Sequence, residues 1–256
     1  MRNRQFIELV RYKVASNLKA EINRYALSYL WWVIEPALHL LILYIVFGIF
    51  FKGNSHERFI PFLFCGLAPW FWFNKSISDG MESILKGRQI IRDTYIPKYF
   101  FSTVSIIMNL FKGLILWVIL IVVLVISGFY PSKLWLYLPL IILLELLLIA
   151  SIVYFVSIIV PYFLDLKYII NTALQILMFS AGIFYDYKTM PEVYHKIFLI
   201  NPVALLINMY RDVLMYQKPI NLGNYLYILL FVCVFGVLSY VVHKKLDKEI
   251  PKVLFR

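Results

Sequence analysis

Apolar residues in this chain gather into runs instead of alternating, and six runs are long enough to cross a bilayer. A spanning helix needs about 20 mostly apolar residues to cross roughly 30 Å of hydrocarbon. Stretches 29–51, 59–80, 102–127, 134–160, 168–186 and 223–243 meet that length. The fifth is the least apolar, because Asn171, Thr172, Gln175 and Ser180 interrupt it. Two other stretches have helical character without spanning length. In 3–24, Phe6, Ile7, Val10, Val14 and Leu18 recur at helical spacing among charges, which predicts an amphipathic helix lying in the interface or packed on a partner. In 187–221, Pro191 precedes EVYHKIFLI, and Asn201-Pro202 separates that run from VALLINMYRDVLMY. Neither half can span, and Asn-Pro forms turns. Two short helices that dip into the outer leaflet and return fit this pattern. Irregular backbone at that depth must be covered by protein or water, which suggests a pore, gate or substrate path.

The expected fold is an all-α integral membrane protein with one transmembrane domain over 1–256. An interface helix occupies 1–28, spans one to five 29–186, a re-entrant outer hairpin 187–221, and span six with a tail 222–256. Composition agrees, with 62% hydrophobic and only 15% charged residues, where soluble domains have about half and a quarter. The net charge of +11 would suggest nucleic acid in a soluble protein. Here the basic residues flank apolar runs and report topology instead. Loops 1–28, 81–100, 161–167 and 244–256 carry 16 Lys and Arg, against 7 in 52–58, 131–133 and 187–221. The first set is therefore cytoplasmic, and both termini with it. No short apolar core ending at a small-residue site marks a cleavable signal peptide near residue 1.

Candidate chemistry is sparse. Cys65, Cys233 and the four histidines form no ligand spacing, and no phosphate-binding glycine loop or hydrolase motif is present. The chain is expected to bind no cofactor or metal; if it moves a large substrate against a gradient, the energy comes from another chain. In 81–100, charges Arg88, Arg92 and Asp93 surround Ile90 and Ile91 ahead of Pro97. A short helix exposing that pair suits a groove on a cytoplasmic partner, and a solvated loop fits equally. Ser105, Asn109 and Lys112 share one face of the third span, and Glu145 lies in the fourth. Lys112 and Glu145 at similar depth allow an ion pair that orients the two helices. The fifth span aligns Asn171, Gln175, Met178 and Gly182, with Tyr168 and Phe179 beside them, and the first aligns Tyr44, Phe47 and Phe51. Interhelical packing explains both stripes, as does the wall of a channel for a sliding sugar chain. Trp31 and Trp32 sit where the first span enters the membrane, with Glu35-Pro36 a turn later, as interfacial anchors and a bend.

Three stretches carry a family likeness. They are LSYLWWVIEPALHLLILYIVFG at 27–48, FIPFLFCGLAPWFWFNKSISDGMESIL at 59–85, and 165–215 with DLKYIINTALQILMFSAGIFY and NPVALLINMYRDVL. Together they resemble the type-2 ABC transporter permeases that export O-antigen, capsule and teichoic acid. The family usually has glycine where Ser28 stands, serine at Tyr25, arginine at Leu164 and often proline at Gly182. The resemblance implies a homodimer with two cytoplasmic ATPase subunits that hold ATP and magnesium, a lipid-linked polysaccharide as substrate, and the bacterial plasma membrane as location. It implies a cytoplasmic entrance at Ser28, Trp31, Trp32, Glu35 and Pro36, and a coupling helix over 84–96 carrying Arg88, Ile90, Ile91, Arg92 and Asp93. It implies outer gate helices over 189–216, with Tyr185, Pro191, Asn201, Pro202, Arg211 and Asp212. The substrate path would follow Tyr44, Phe47, Phe51, Tyr168, Asn171, Gln175, Met178 and Phe179. Two other classes compete: a membrane enzyme acting on a polyprenyl-linked sugar, against which the dispersed acids weigh, and a permease for a small lipid or drug.

Overall fold

A few residues with strong backbone preferences decide where the helices start and stop. The Asn201 side-chain oxygen accepts from the Val203 and Ala204 amides at 3.0 and 3.4 Å, with Pro202 in the first turn. Asparagine caps the free amides of a helix start, and proline there gives up a donor that has no partner. Asn221 caps the last long helix through the Asn224 amide at 3.2 Å. Gly182 leaves its helix in the left-handed region (φ 69°), the turn that glycine makes without strain. A proline cannot take that φ, so the departure at this position changes how the chain turns.

The computed structural model describes residues 3–24, 28–43, 45–46, 59–187 and 191–255. In chain order the helices are α1 (Asn3–Arg24), α2 (Ser28–Leu43), α3 (Phe59–Met81), α4 (Ser83–Lys86), α5 (Arg88–Asp93) and α6 (Tyr99–Ile126). A 3-10 turn at Lys133–Tyr137 leads into α7 (Leu138–Ile159), then α8 (Leu166–Ser180), α9 (Glu192–Ile200), α10 (Pro202–Leu214), α11 (Leu222–Leu246) and α12 (Ile250–Leu254). There is no strand among the described residues.

Among the described residues, three segments are long and apolar enough to cross a membrane: Tyr99–Ile126, Lys133–Ile159 and Leu222–Leu246. The other three expected spans are not among them. The first, 29–51, is described only in part, through α2. The second half of α3 carries Asn74, Lys75 and Asp79. Helix α8 has 15 residues before its glycine turn, about 22 Å of rise.

Helix α3 runs through the middle, packed by α6, α7, α10, α2 and α8. Helix α10 is equally interior, with ten of its 13 residues buried, so the second half of the outer hairpin belongs to the core. Apolar helices gain little by leaving lipid for one another, and close packing with interhelical hydrogen bonds holds them instead. One such set links Ser83, Ser102 and Ser157 across α4, α6 and α7 at 3.3 and 2.8 Å. Another joins Thr103 to Tyr154 at 2.8 Å. A second cluster gathers Val10 and Val14 of α1, Ile84, Ile91, Phe101, and Ile250 and Leu254 of α12.

Three expectations need correction. Lys112 does not meet Glu145. Its ammonium pairs with Glu21 of α1 at 2.7 Å, while Glu145 accepts from Tyr210 of α10 at 2.7 Å. The two residues lie on different faces of the bundle, which depth along the chain does not reveal. On α1, Val10 and Val14 pack on α6, whereas Ile7 is 57% exposed, which suits an amphipathic helix with part of its apolar face turned to the interface or a partner. The helix expected over 84–96 breaks at Gly87 into α4 and α5. Ile91 is only 6% exposed, packed in the cluster with Ile250 and Leu254 of α12, and Ile90 is half-buried. The apolar pair is consumed within the chain, because its own C-terminal helix covers it.

Candidate functional site

The residues expected at an entrance converge. Trp31, Trp32, Glu35 and Pro36 of α2 line a cavity of about 470 Å³ closed by α1, α3 and α6. Ser28 opens α2, which continues through Pro36. Helix α1 brings Glu21 to Lys112, and the Lys112 ammonium also lies 5.5 Å from the Trp32 ring centroid. His39 joins the wall, its Nδ1 2.9 Å from the Glu35 carbonyl oxygen. Sequence reasoning singled out the Ser105–Asn109–Lys112 face but not its partner. The partner is α1, whose Asn17 and Glu21 approach Met108 and Lys112.

On α8, Tyr168, Asn171, Gln175 and Phe179 are all exposed, and Met178 is half-buried. Leu174 is the helix's one buried residue. Amide and aromatic groups thus share an open face. Tyr44, Phe47 and Phe51 lie outside the described residues.

Beyond α8 the chain turns through Tyr185, whose hydroxyl donates to the Phe179 carbonyl at 2.9 Å. Arg211 of α10 fills the space behind this turn and is 2% exposed. Its guanidinium donates to the carbonyls of Gly182 (2.7 Å), Ile183 (2.8 Å) and Phe62 (3.3 Å), with Cζ 3.6 Å from the Phe62 ring centroid. Gly182 and Ile183 lie just past the C-terminal end of α8, outside its ladder of hydrogen bonds, and a cation there also meets the negative end of the dipole. Gly66 leaves room for this arrangement, since a Cβ there would stand 2.9 Å from Arg211 Nη2. One side chain therefore fastens α8, α10 and the start of α3. Asp212 beside it is half-buried, and Pro191 is exposed at the start of α9. Helix α9 leans on the turn through Phe198, which occupies the place where a Cβ on Gly182 would be.

At the opposite end, Arg88, Arg92 and Asp93 of α5 are exposed, and Tyr95, which sequence reasoning passed over, is 71% exposed. Arg88 lies 5.1 Å from the Phe255 ring centroid. Nearby, Lys86 pairs with Asp79 and Glu82, and Lys167 reaches Glu82 at 3.0 Å, tying α4 to the base of α8. The hydrogen bond from Lys167 holds the Glu82 carboxyl below the ordinary carboxylate range. A lowered carboxyl pKa stabilises the fold above that range, and the stabilisation is lost as pH falls through it. Acidification is expected to lower the unfolding midpoint of the purified protein. Glu82→Gln should flatten that slope slightly, in keeping with the partial exposure of the pair; an unchanged slope would exclude this link.

The arrangement offers binding surfaces and a fastened helix end, with charges spread along walls. A model of the ABC-2 type transporter family matches residues 10–215. The chain is 27% identical over 200 residues to an O-antigen export system permease protein RfbA of Klebsiella pneumoniae, covering 78% of this chain and 77% of that one. An RfbA permease of Myxococcus xanthus is 25% identical over 202 residues, with the same shares covered. The polysialic acid transport protein KpsM of Escherichia coli is 26% identical over 204 residues, covering 77% and 78%. With the family model extending over most of its length, on an all-helical fold with membrane-crossing helices, this chain belongs to the ABC-2 type transporter family.

Proposed function

We propose that this chain is the membrane-spanning permease subunit of an ATP-driven exporter that carries a lipid-linked polysaccharide out of the cytoplasm. Relatives named for O-antigen export and polysialic acid transport support this reading. On it, α2, α3, α6, α7, α8 and α11 are six crossings of a bacterial plasma membrane with both chain ends in the cytoplasm. Two copies work with two ATPase chains, which bind ATP and magnesium. The observation that carries the reading is the open face of α8, where Asn171 and Gln175 stand exposed between Tyr168 and Phe179. Amides at membrane depth face protein or water rather than hydrocarbon. A second copy meeting this one along α2 and α8 encloses them in a channel that combines hydrogen-bonding groups with aromatic faces. Helix α9 is the moving part of the outer gate, turning at Asn201-Pro202, because Arg211 holds α10 in the core. Depletion of the protein tests the function. A polysaccharide-bearing lipid should accumulate on the cytoplasmic leaflet, read by labelling inside-out vesicles, and no accumulation would sink the reading.

The ATPase docks on Arg88, Arg92, Asp93 and Tyr95, the groups that α5 and the residues after it leave exposed. Arg92→Glu combined with Tyr95→Ala is expected to lower substrate-stimulated ATP hydrolysis roughly tenfold, the size of an interface anchor, with an unchanged unfolding midpoint. Ile91→Asp should instead lower the midpoint itself, because it buries a charge against Ile250 and Leu254. Normal hydrolysis in the first variant would exclude this docking surface.

A further inference from the structure

Helix α8 carries the open polar face, yet burial does little to hold it. Leu174 is its one buried residue, and α3 is the helix it leans on. Phe163, Leu164 and Asp165 in the turn from α7 are exposed, so the approach to α8 is not packed down either. Its position therefore depends on side chains that reach its two ends. At the outer end Arg211 donates to the Gly182 and Ile183 carbonyls, and the Asn201 amide approaches Ser180 Oγ at 3.5 Å.

At the inner end the tie is electrostatic. Lys167 in the first turn of α8 reaches Glu82 Oε1 at 3.0 Å. Lys86 reaches Oε2 of the same carboxylate at 3.5 Å and Asp79 at 3.3 Å. Two cations and two carboxylates thus close a neutral network across α3, α4 and α8. An isolated exposed pair contributes little, whereas charges joined in a network contribute more. The base of this network is firm. Ile84 of α4 is fully buried, and Ser83 bonds to Ser102 of α6 at 3.3 Å. One turn above Lys167, Asn171 is exposed, and Thr172 spends its hydroxyl on the Tyr168 carbonyl of its own helix.

We infer that Lys167 is a positioning residue for transport: its bond to Glu82 fixes the inner half of α8, and with it Tyr168 and Asn171, against its own copy of the chain. The inference rests on reading α8 as the wall of an exporter's path. Without the tie, the inner half follows whatever faces its open side, and the inner width of the path is no longer set. Thiol labelling and transport by the assembled exporter test it, in a Cys233→Ser background where the remaining Cys65 is buried. Tyr168→Cys reports on the inner half of α8 and Phe179→Cys on the outer half. Lys167→Glu sets like charges against each other at Glu82. It is expected to raise labelling at 168 about fivefold, the upper end for a partly exposed pair, and to leave 179 unchanged. Transport should fall with it. Lys167→Arg should keep both readouts at their parent values, and Glu82→Lys combined with Lys167→Glu should recover them. A purely structural loss would instead speed labelling at both positions and lower the unfolding midpoint. Unchanged labelling at 168, an equal rise at both positions, or transport that ignores the altered labelling overturns the assignment. If labelling at 168 responds as expected but the parent protein moves no polysaccharide-bearing lipid with ATP, the tie stands and the exporter reading falls.

Discussion

Arg211→Met is expected to destabilise the protein by several kcal/mol, the largest effect of any single change considered. The side chain satisfies the buried carbonyls of Gly182 and Ile183, just past the end of α8, and also reaches the Phe62 carbonyl within α3. Each buried carbonyl left without a donor costs about 1–3 kcal/mol, and the guanidinium's stacking on Phe62 is lost as well. Methionine is close in length, so the effect comes from hydrogen bonding more than from a cavity. Arg211→Lys should fall between the two, because one ammonium cannot reproduce a planar fork directed at three oxygens. Cys65 on the neighbouring α3 is buried, whereas Cys233 is exposed. In a Cys233→Ser background, a thiol-reactive fluorophore therefore reports release of Cys65 as the fold melts. Unchanged melting in Arg211→Met would show that the carbonyls find other donors.

Tyr210→Phe is expected to cost about 2–4 kcal/mol, more than one hydroxyl contributes at a surface. The Tyr210 hydroxyl donates to Glu145 at 2.7 Å, and both residues are fully buried. Phenylalanine keeps the ring that packs 4.4 Å from Trp117, so the change isolates the hydrogen bond and leaves Glu145 without a donor. An unpaired acid in the interior costs far more than the bond itself gains. Glu145→Leu added to Tyr210→Phe should recover most of the loss, since replacing both partners by apolar groups removes the unmet demand. The same melting assay reads this double-mutant cycle. Additive losses would mean that the two groups do not depend on each other.

These two residues show where reading the sequence stops. Glu145 stands out in an apolar run, and Arg211 stands out in a hairpin too short to span. Both must find partners, and chain position alone does not say which. A one-residue step turns a helix by 100°, so which neighbour a polar group meets depends on how each helix is rotated in the bundle. For that reason depth along the chain pairs Lys112 with Glu145, whereas the packed bundle pairs it with Glu21 of α1.

The sequence by itself determined the longest helices and the break in the hairpin. The runs at 102–127, 134–160 and 223–243 and the Asn201-Pro202 break act within a few residues of themselves, through hydrophobicity over a helix length and allowed backbone angles. It also determined the family, carried by segments spread along most of the chain. Only the tertiary structure decided that α10 is interior while α8 keeps an open polar face, and that α12 covers Ile91. It alone gathered Trp32, Trp72, Asn109 and Glu21 around one cavity from four separate helices. Those outcomes depend on which helices become neighbours, and contacts between residues distant in the chain are set by the packing of the whole bundle.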